Sequence, residues 1–257
     1  MSAPDPITSV PSVPLPSGPS GRWSVLGAII FVAVVIGTSM LAAYAMQRGY
    51  AHWRAGLPAE DALRLPAPTD ATFLMAVQLT GQLLQLLLIW WLTGIWHRDR
   101  AAALNLTPAH LKIRQWLGAI ALLFAVKLAA TMLATSIGPG DPRREIGPFI
   151  DLVRSPNAWL VFLAAVVMAG LTEELLFRGV LSRTLEASRL GFWPGAALAS
   201  AAFAMLHLQY GSSGQIVIFA VGKTLAWIRA WSASLWPAVV CHAVNNALAL
   251  AALRAVS

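Results

Sequence analysis

Runs of roughly 20 residues almost free of charge recur along the chain, and no other feature narrows the possible folds so far. About 20 apolar residues let an α-helix cross ~30 Å of hydrocarbon. Backbone polar groups in lipid must be satisfied within a helix or a closed barrel, and these runs are too long for barrel strands. The expected fold is therefore all-α: a polytopic transmembrane helix bundle of about seven spans. They are placed near Ser24–Met46, Thr72–Trp96, Gln115–Ile137, Ala158–Val180, Trp193–Leu208, Gln215–Ala230 and Leu235–Leu253. The fourth is expected to continue as helix through "LSRTLEA", and the fifth and sixth are the shortest. Composition agrees, with 58% hydrophobic and 11% charged residues, far from the soluble balance.

The formal charge of +7 raises the question of nucleic acid, but the basic residues sit mainly in connecting loops. That pattern fits the positive-inside rule, and no nucleic-acid partner is expected. The loop near 97–114 holds Arg98, Arg100, Lys112 and Arg114 against Asp99, and the loop near 182–191 adds Arg183 and Arg189. Segments 47–71 and 138–157 carry three arginines each, balanced by as many acids. The excess predicts that the N-terminus and the second, fourth and sixth loops face the cytoplasm of a plasma or cell membrane. Residues 1–22, with "PSVPLPSGPSG", read as a disordered Pro/Ser-rich tail. It lacks a basic n-region, and the apolar run after it is too long for a signal peptide. Cys241 is the sole cysteine, so no intramolecular disulfide and no cysteine metal cluster can form.

Of the eleven acidic residues, only Glu173 and Glu174 fall inside a predicted span. Two of the five histidines, His207 and His242, do so as well. An ionisable group at membrane depth costs ~2.5–3.5 kcal/mol on insertion scales, which marks it as a functional candidate. Glu174 and Arg178 are four apart and share a helix face, as an ion pair requires. Glu173 points about 100° away. The same spacing joins Phe203 to His207 and His242 to Asn246. Depth is a check: Glu173 lies ~14 Å from the polar end of its helix and His242 ~9 Å past Trp236. His207, ~21 Å from Trp193, comes out deeper, so its helix must start later, tilt or bend.

The ordered trio EExxxR, FxxxH and HxxxN resembles the CPBP family of intramembrane proteases, which includes CAAX prenyl endopeptidases and bacteriocin-processing proteins. Here it reads Glu173-Glu174-Leu-Leu-Phe-Arg178, Phe203-Ala-Met-Leu-His207 and His242-Ala-Val-Asn-Asn246, with "FRG" and "SLWPAVVCHAVNN" around it. The resemblance divides the chain into the tail, N-terminal helices over 23–157 and a catalytic core over 158–254. It implies an endopeptidase acting on a membrane-associated or lipidated peptide or protein, in contact with membrane lipid. It places Glu173, Glu174, His207, His242 and Asn246 in the catalytic set, with Arg178 and Phe203 as support. Glu173 would be the base that activates water, His207 would orient that water, and His242 with Asn246 would form the oxyanion site. Zinc on Glu173, His207 and His242 is the alternative, since Glu with two His is a known catalytic ligand set. Both options, zinc or no cofactor, stay open. One departure from the family is Lys223, in a segment usually more apolar.

Three other readings compete. "GSSG" at 211–214 imitates a rhomboid-like serine motif, but Ser213 is expected in a short loop and both glutamates go unexplained. No HExxH occurs and no Asp lies within a span, which removes the zincin and aspartyl types. A transporter would use buried polar groups such as Gln78, Gln82 and Gln85, which are better read as polar residues turned to the bundle interior. A non-proteolytic membrane scaffold of the same family is the third. Lys127 is expected to snorkel or to pair with a polar neighbour, and Cys241 to pack.

Overall fold

A computed structural model describes residues 23–67, 69–138, 150, 152–155, 157–207 and 209–256. The tail at 1–22 and most of the 138–157 connection lie outside the described residues. The chain is an all-α membrane helix bundle, with no strand among the described residues. Its principal helices are α1 (Val25–Ala55), α2 (Ala71–Trp96), α3 (Ile113–Ile137), α4 (Ala158–Glu186), α5 (Phe192–Met205), α6 (Ser212–Ser232) and α7 (Trp236–Val256). Each replaces one predicted span. Five, α1 to α4 and α7, are long and apolar enough to cross a membrane. α5 is shorter, and α6 carries Lys223 and Arg229.

Local chemistry sets several ends. Ser24 accepts a hydrogen bond from the Gly27 N–H and so caps α1. Asp70 caps α2 by accepting from the Thr72 and Phe73 N–H groups. The Gln115 side chain reaches back to the Lys112 N–H at the start of α3. α1 runs nine residues past its predicted end, because the polar stretch from Gln47 to Ala55 continues the helix. α5 stops at Met205, three residues before its predicted end. Ser213, expected in a loop, stands instead in the first turn of α6. Its neighbour Gly211 has extended backbone at the helix start, which leaves the serine free to be helical.

α4 is the central element. In its most apolar window 56% of residues are buried against protein, compared with 17–28% for the other four spanning helices. Leu175, Leu176, Phe177, Val180, Leu181 and Leu185 of α4 form one core with Phe31 and Val35 of α1, Ile89 of α2 and Phe203 of α5. A second core joins α3, α6 and α7 through Leu123, Leu225, Ile228, Ala238 and Cys241. The packing reading of Cys241 is met by that burial. Large apolar side chains such as Leu41, Leu87, Leu128 and Met132 point outward, as a bilayer-facing surface requires. This is an integral membrane protein.

One end of the bundle is tied by the loop between α2 and α3. Leu235 N–H donates to Asn105 O, and Ser234 Oγ donates to Thr107 O. Arg183 Nη1 donates to the Ala102 and Ala103 carbonyls. The loops richest in Arg and Lys therefore share one end, as the charge pattern predicts.

Candidate active site

The site forms where α4 loses regular α-geometry. Two π-helical stretches, Leu163–Met168 and Leu175–Ser182, flank the short α-turn that carries Glu173 and Glu174. Such wider turns shift carbonyls off the usual ladder and are frequent at functional sites. Here side chains of other helices reach two of them. Gln82 Nε2 of α2 donates to Ala164 O, and Asn246 Nδ2 of α7 donates to Ala165 O. Of the three glutamines on α2, Gln82 is buried, Gln85 donates to Ser39 Oγ and Gln78 is exposed. The interior reading holds for two of them.

Glu174 is wholly buried. Its Oε1 accepts from Arg178 Nη1 at 2.8 Å and meets His242 Nδ1 at 2.8 Å. The expected Glu174–Arg178 pair is present, and His242 is its third member. Arg178, 1% exposed, stacks its guanidinium 4.4 Å from the Phe203 ring centre. Gly222 of α6 makes room for it, because a Cβ there would stand 2.9 Å from Arg178 Nη2. Close approach matters again at Gly170, where a Cβ would meet the Ala243 backbone at 3.4 Å. That contact draws α7 against α4 one residue from His242.

Glu173 has a different environment. Its side chain keeps 30% of its exposure, and Oε2 lies 3.7 Å from His242 Nε2. His242 thus stands between the two glutamates, one on each ring nitrogen. A carboxylate shared with an arginine accepts, so Nδ1 carries a hydrogen toward Glu174 and Nε2 is the ring nitrogen that faces Glu173. A gap of 3.7 Å is too long for a direct hydrogen bond.

His207 follows the end of α5 rather than lying within it, and α5 starts one residue before Trp193 rather than later. Its Nδ1 bonds Phe203 O at 2.9 Å, and its ring packs 4.7 Å from the Phe203 ring. Phe203 also meets His242 edge-on at 6.0 Å. Phe203 thus links the two histidines, while no ion pair among the described residues joins His207 to a glutamate. Asn246 occupies one hydrogen of its amide on Ala165 O and accepts from Asn245 Nδ2 at 3.0 Å.

A zinc site would require Glu173, His207 and His242 to converge. Among the described residues no group of three or more His, Cys, Asp or Glu side chains is arranged to hold a metal ion. His242 has both ring nitrogens turned to carboxylates. The residues as placed do not fit that ligand set.

Three further polar residues were not singled out from the sequence as site partners. Lys127 of α3 donates to Asn245 Oδ1 at 2.8 Å, so it pairs with a polar neighbour. Arg229 of α6 is fully buried in an ion pair with Glu186. Lys223 lies 5.4 Å from the Trp193 ring centre. Lys127 lies well inside its predicted span, the signal on which a polar neighbour is expected for it, whereas Arg229 lies one residue before the end of its own.

Residues 155–248 match the family model described as "Type II CAAX prenyl endopeptidase Rce1-like". The match spans the helices that carry all seven motif residues. No curated protein and no solved structure matches the chain.

Proposed function

We propose that this chain is an intramembrane endopeptidase of the CPBP/CAAX kind that cleaves a membrane-associated or lipidated peptide, a reading supported by the type II CAAX prenyl endopeptidase match over residues 155–248. The supporting observation is the half-exposed Glu173 beside a histidine locked by a second, buried glutamate. A water between Glu173 Oε2 and His242 Nε2 would give a hydrogen to each acceptor and turn an oxygen lone pair toward the substrate carbonyl. As the water oxygen attacks the carbonyl carbon, its proton passes to Glu173. The tetrahedral oxyanion is then stabilised by the remaining Asn246 N–H. Collapse breaks the C–N bond, and the proton on Glu173 goes to the leaving amine. His207, with Nδ1 tied to Phe203 O, presents Nε2 as its remaining polar atom and helps orient the water. Glu174 and Arg178 hold His242 and do not exchange protons with substrate. The sequence reading shared the oxyanion between His242 and Asn246; the Nδ1 bond to Glu174 favours Asn246 alone.

A lipid-anchored substrate reaches this site from the bilayer, in keeping with a cell-membrane location. Membranes from fractionated cells expressing the wild type or Glu173→Ala should differ in new peptide termini on membrane proteins, read by comparative proteomics. Identical termini in both strains would favour a scaffold without proteolysis.

A further inference from the structure

Lys127 belongs to α3, outside the matched family segment, yet three hydrogen bonds connect it to the site. Its Nζ donates to Asn245 Oδ1 at 2.8 Å, Asn245 Nδ2 donates to Asn246 Oδ1 at 3.0 Å, and Asn246 Nδ2 donates to Ala165 O at 2.9 Å. The direction of this chain is fixed by its two ends. An ammonium group can only donate, and a backbone carbonyl can only accept. Each amide between them can be turned over by 180°, which exchanges its donor and acceptor. Turning either amide alone sets donor against donor at one junction and acceptor against acceptor at the other. The arrangement described is the one that satisfies all three junctions.

We infer that Lys127 is a positioning residue for hydrolysis, fixing the Asn246 amide so that its second Nδ2 hydrogen serves the oxyanion. This rests on the reading of Asn246 given under the proposed function. Such a role gives a reason for a cation within the span of a helix that carries no motif residue. It also explains why the amide at 245 lies beside Asn246: it relays the polarity of Lys127. The Phe124 ring, 5.9 Å from Nζ, helps retain the ammonium in place. Without Lys127, Asn245 is released and Ala165 O is the only remaining anchor of Asn246.

The test uses full-length protein in liposomes with a farnesylated CAAX peptide as probe, and reports kcat and KM per folded molecule. Lys127→Met removes the donor at similar length, and kcat should fall about tenfold with KM little changed, as for an interaction strongest in the transition state. Lys127→Arg keeps a donor and should restore most of that loss. In an Asn246→Ala background, Lys127→Met should change nothing further, because the group it positions is absent. Asn245→Leu cuts the same chain at its middle and carries the same expectations if Lys127→Met does not fold. Wild-type kcat in both Lys127→Met and Asn245→Leu would overturn the inference. So would an equal fall in the Asn246→Ala background, or equal losses in Lys127→Met and Lys127→Arg. A wild-type protein that does not cleave the probe, or a Glu173→Gln protein as active as wild type, would instead overturn the proposed function.

Discussion

Glu174 and Glu186 of α4 each form a buried ion pair, and only one of the two belongs to the candidate site. Glu174 and Arg178 are 0% and 1% exposed; Glu186 and Arg229 are 8% and 0% exposed. Burial does not distinguish them. Their neighbours do. Glu174 shares its oxygen with His242, which in turn faces a half-exposed carboxylate. Glu186 accepts instead from Ser182 Oγ, and the nearby Arg183 is bound to backbone carbonyls of the α2–α3 loop. The first pair holds the histidine that faces Glu173, whereas the second clamps α4 to α6 at the basic end of the bundle. What separates the two pairs is the second titratable group, Glu173, that stands beside the first.

Breaking each pair in turn sharpens that difference. Glu174→Gln and Glu186→Gln should both destabilise the fold by ~3–5 kcal/mol, since each leaves a buried arginine without its counter-charge. Detergent-resistant folded fraction measures this. Among the molecules that do fold, Glu186→Gln should turn over like the wild type. Glu174→Gln should lose at least about tenfold, because the group that sets the His242 tautomer is gone. Equal turnover per folded molecule in the two variants would erase the distinction.

Much of this was legible in the sequence. Seven apolar runs gave seven helices in order, and α2 begins within one residue of its predicted start and ends at the predicted Trp96. The Glu174–Arg178 pair followed from i,i+4 spacing alone. What the spacing could not supply is anything that depends on the register between helices. His242 meeting Glu174 requires α7 to slide against α4 at Gly170, and Lys127 meeting Asn245 requires the same for α3 and α7. Arg229 lies one residue before the predicted end of its span, and no spacing in the sequence points to Glu186, its partner from α4. The π-turns around the site carry no sequence signature of their own, and they decide which carbonyls Gln82 and Asn246 can reach.

The smallest expected effect lies at the basic end, away from the site. His97 follows α2, packs 4.6 Å from the Trp23 ring and is buried with Nε2 unpartnered among the described residues. Burial lowers its pKa below the usual 6.5, and the Arg183 charge lowers it further. The unfolded chain therefore binds the proton more readily than the folded one. His97 leaves stability intact above about pH 6.5 and subtracts from it as pH falls below that toward the folded value. The Tm of the wild type should drop slightly between pH 7 and pH 5, and His97→Gln should drop less. Equal drops in both would remove His97 from the pH response without touching the site.

The central claim is that Glu173, not its buried neighbour, takes the proton from water. It is tested most directly by turnover per folded molecule of Glu173→Gln on the farnesylated CAAX peptide. The substitution keeps the shape of the side chain but removes its basicity. Normal folding and a loss of ~10²–10⁴-fold are expected, the size of a general-base contribution. Wild-type turnover per folded molecule in Glu173→Gln would contradict the claim.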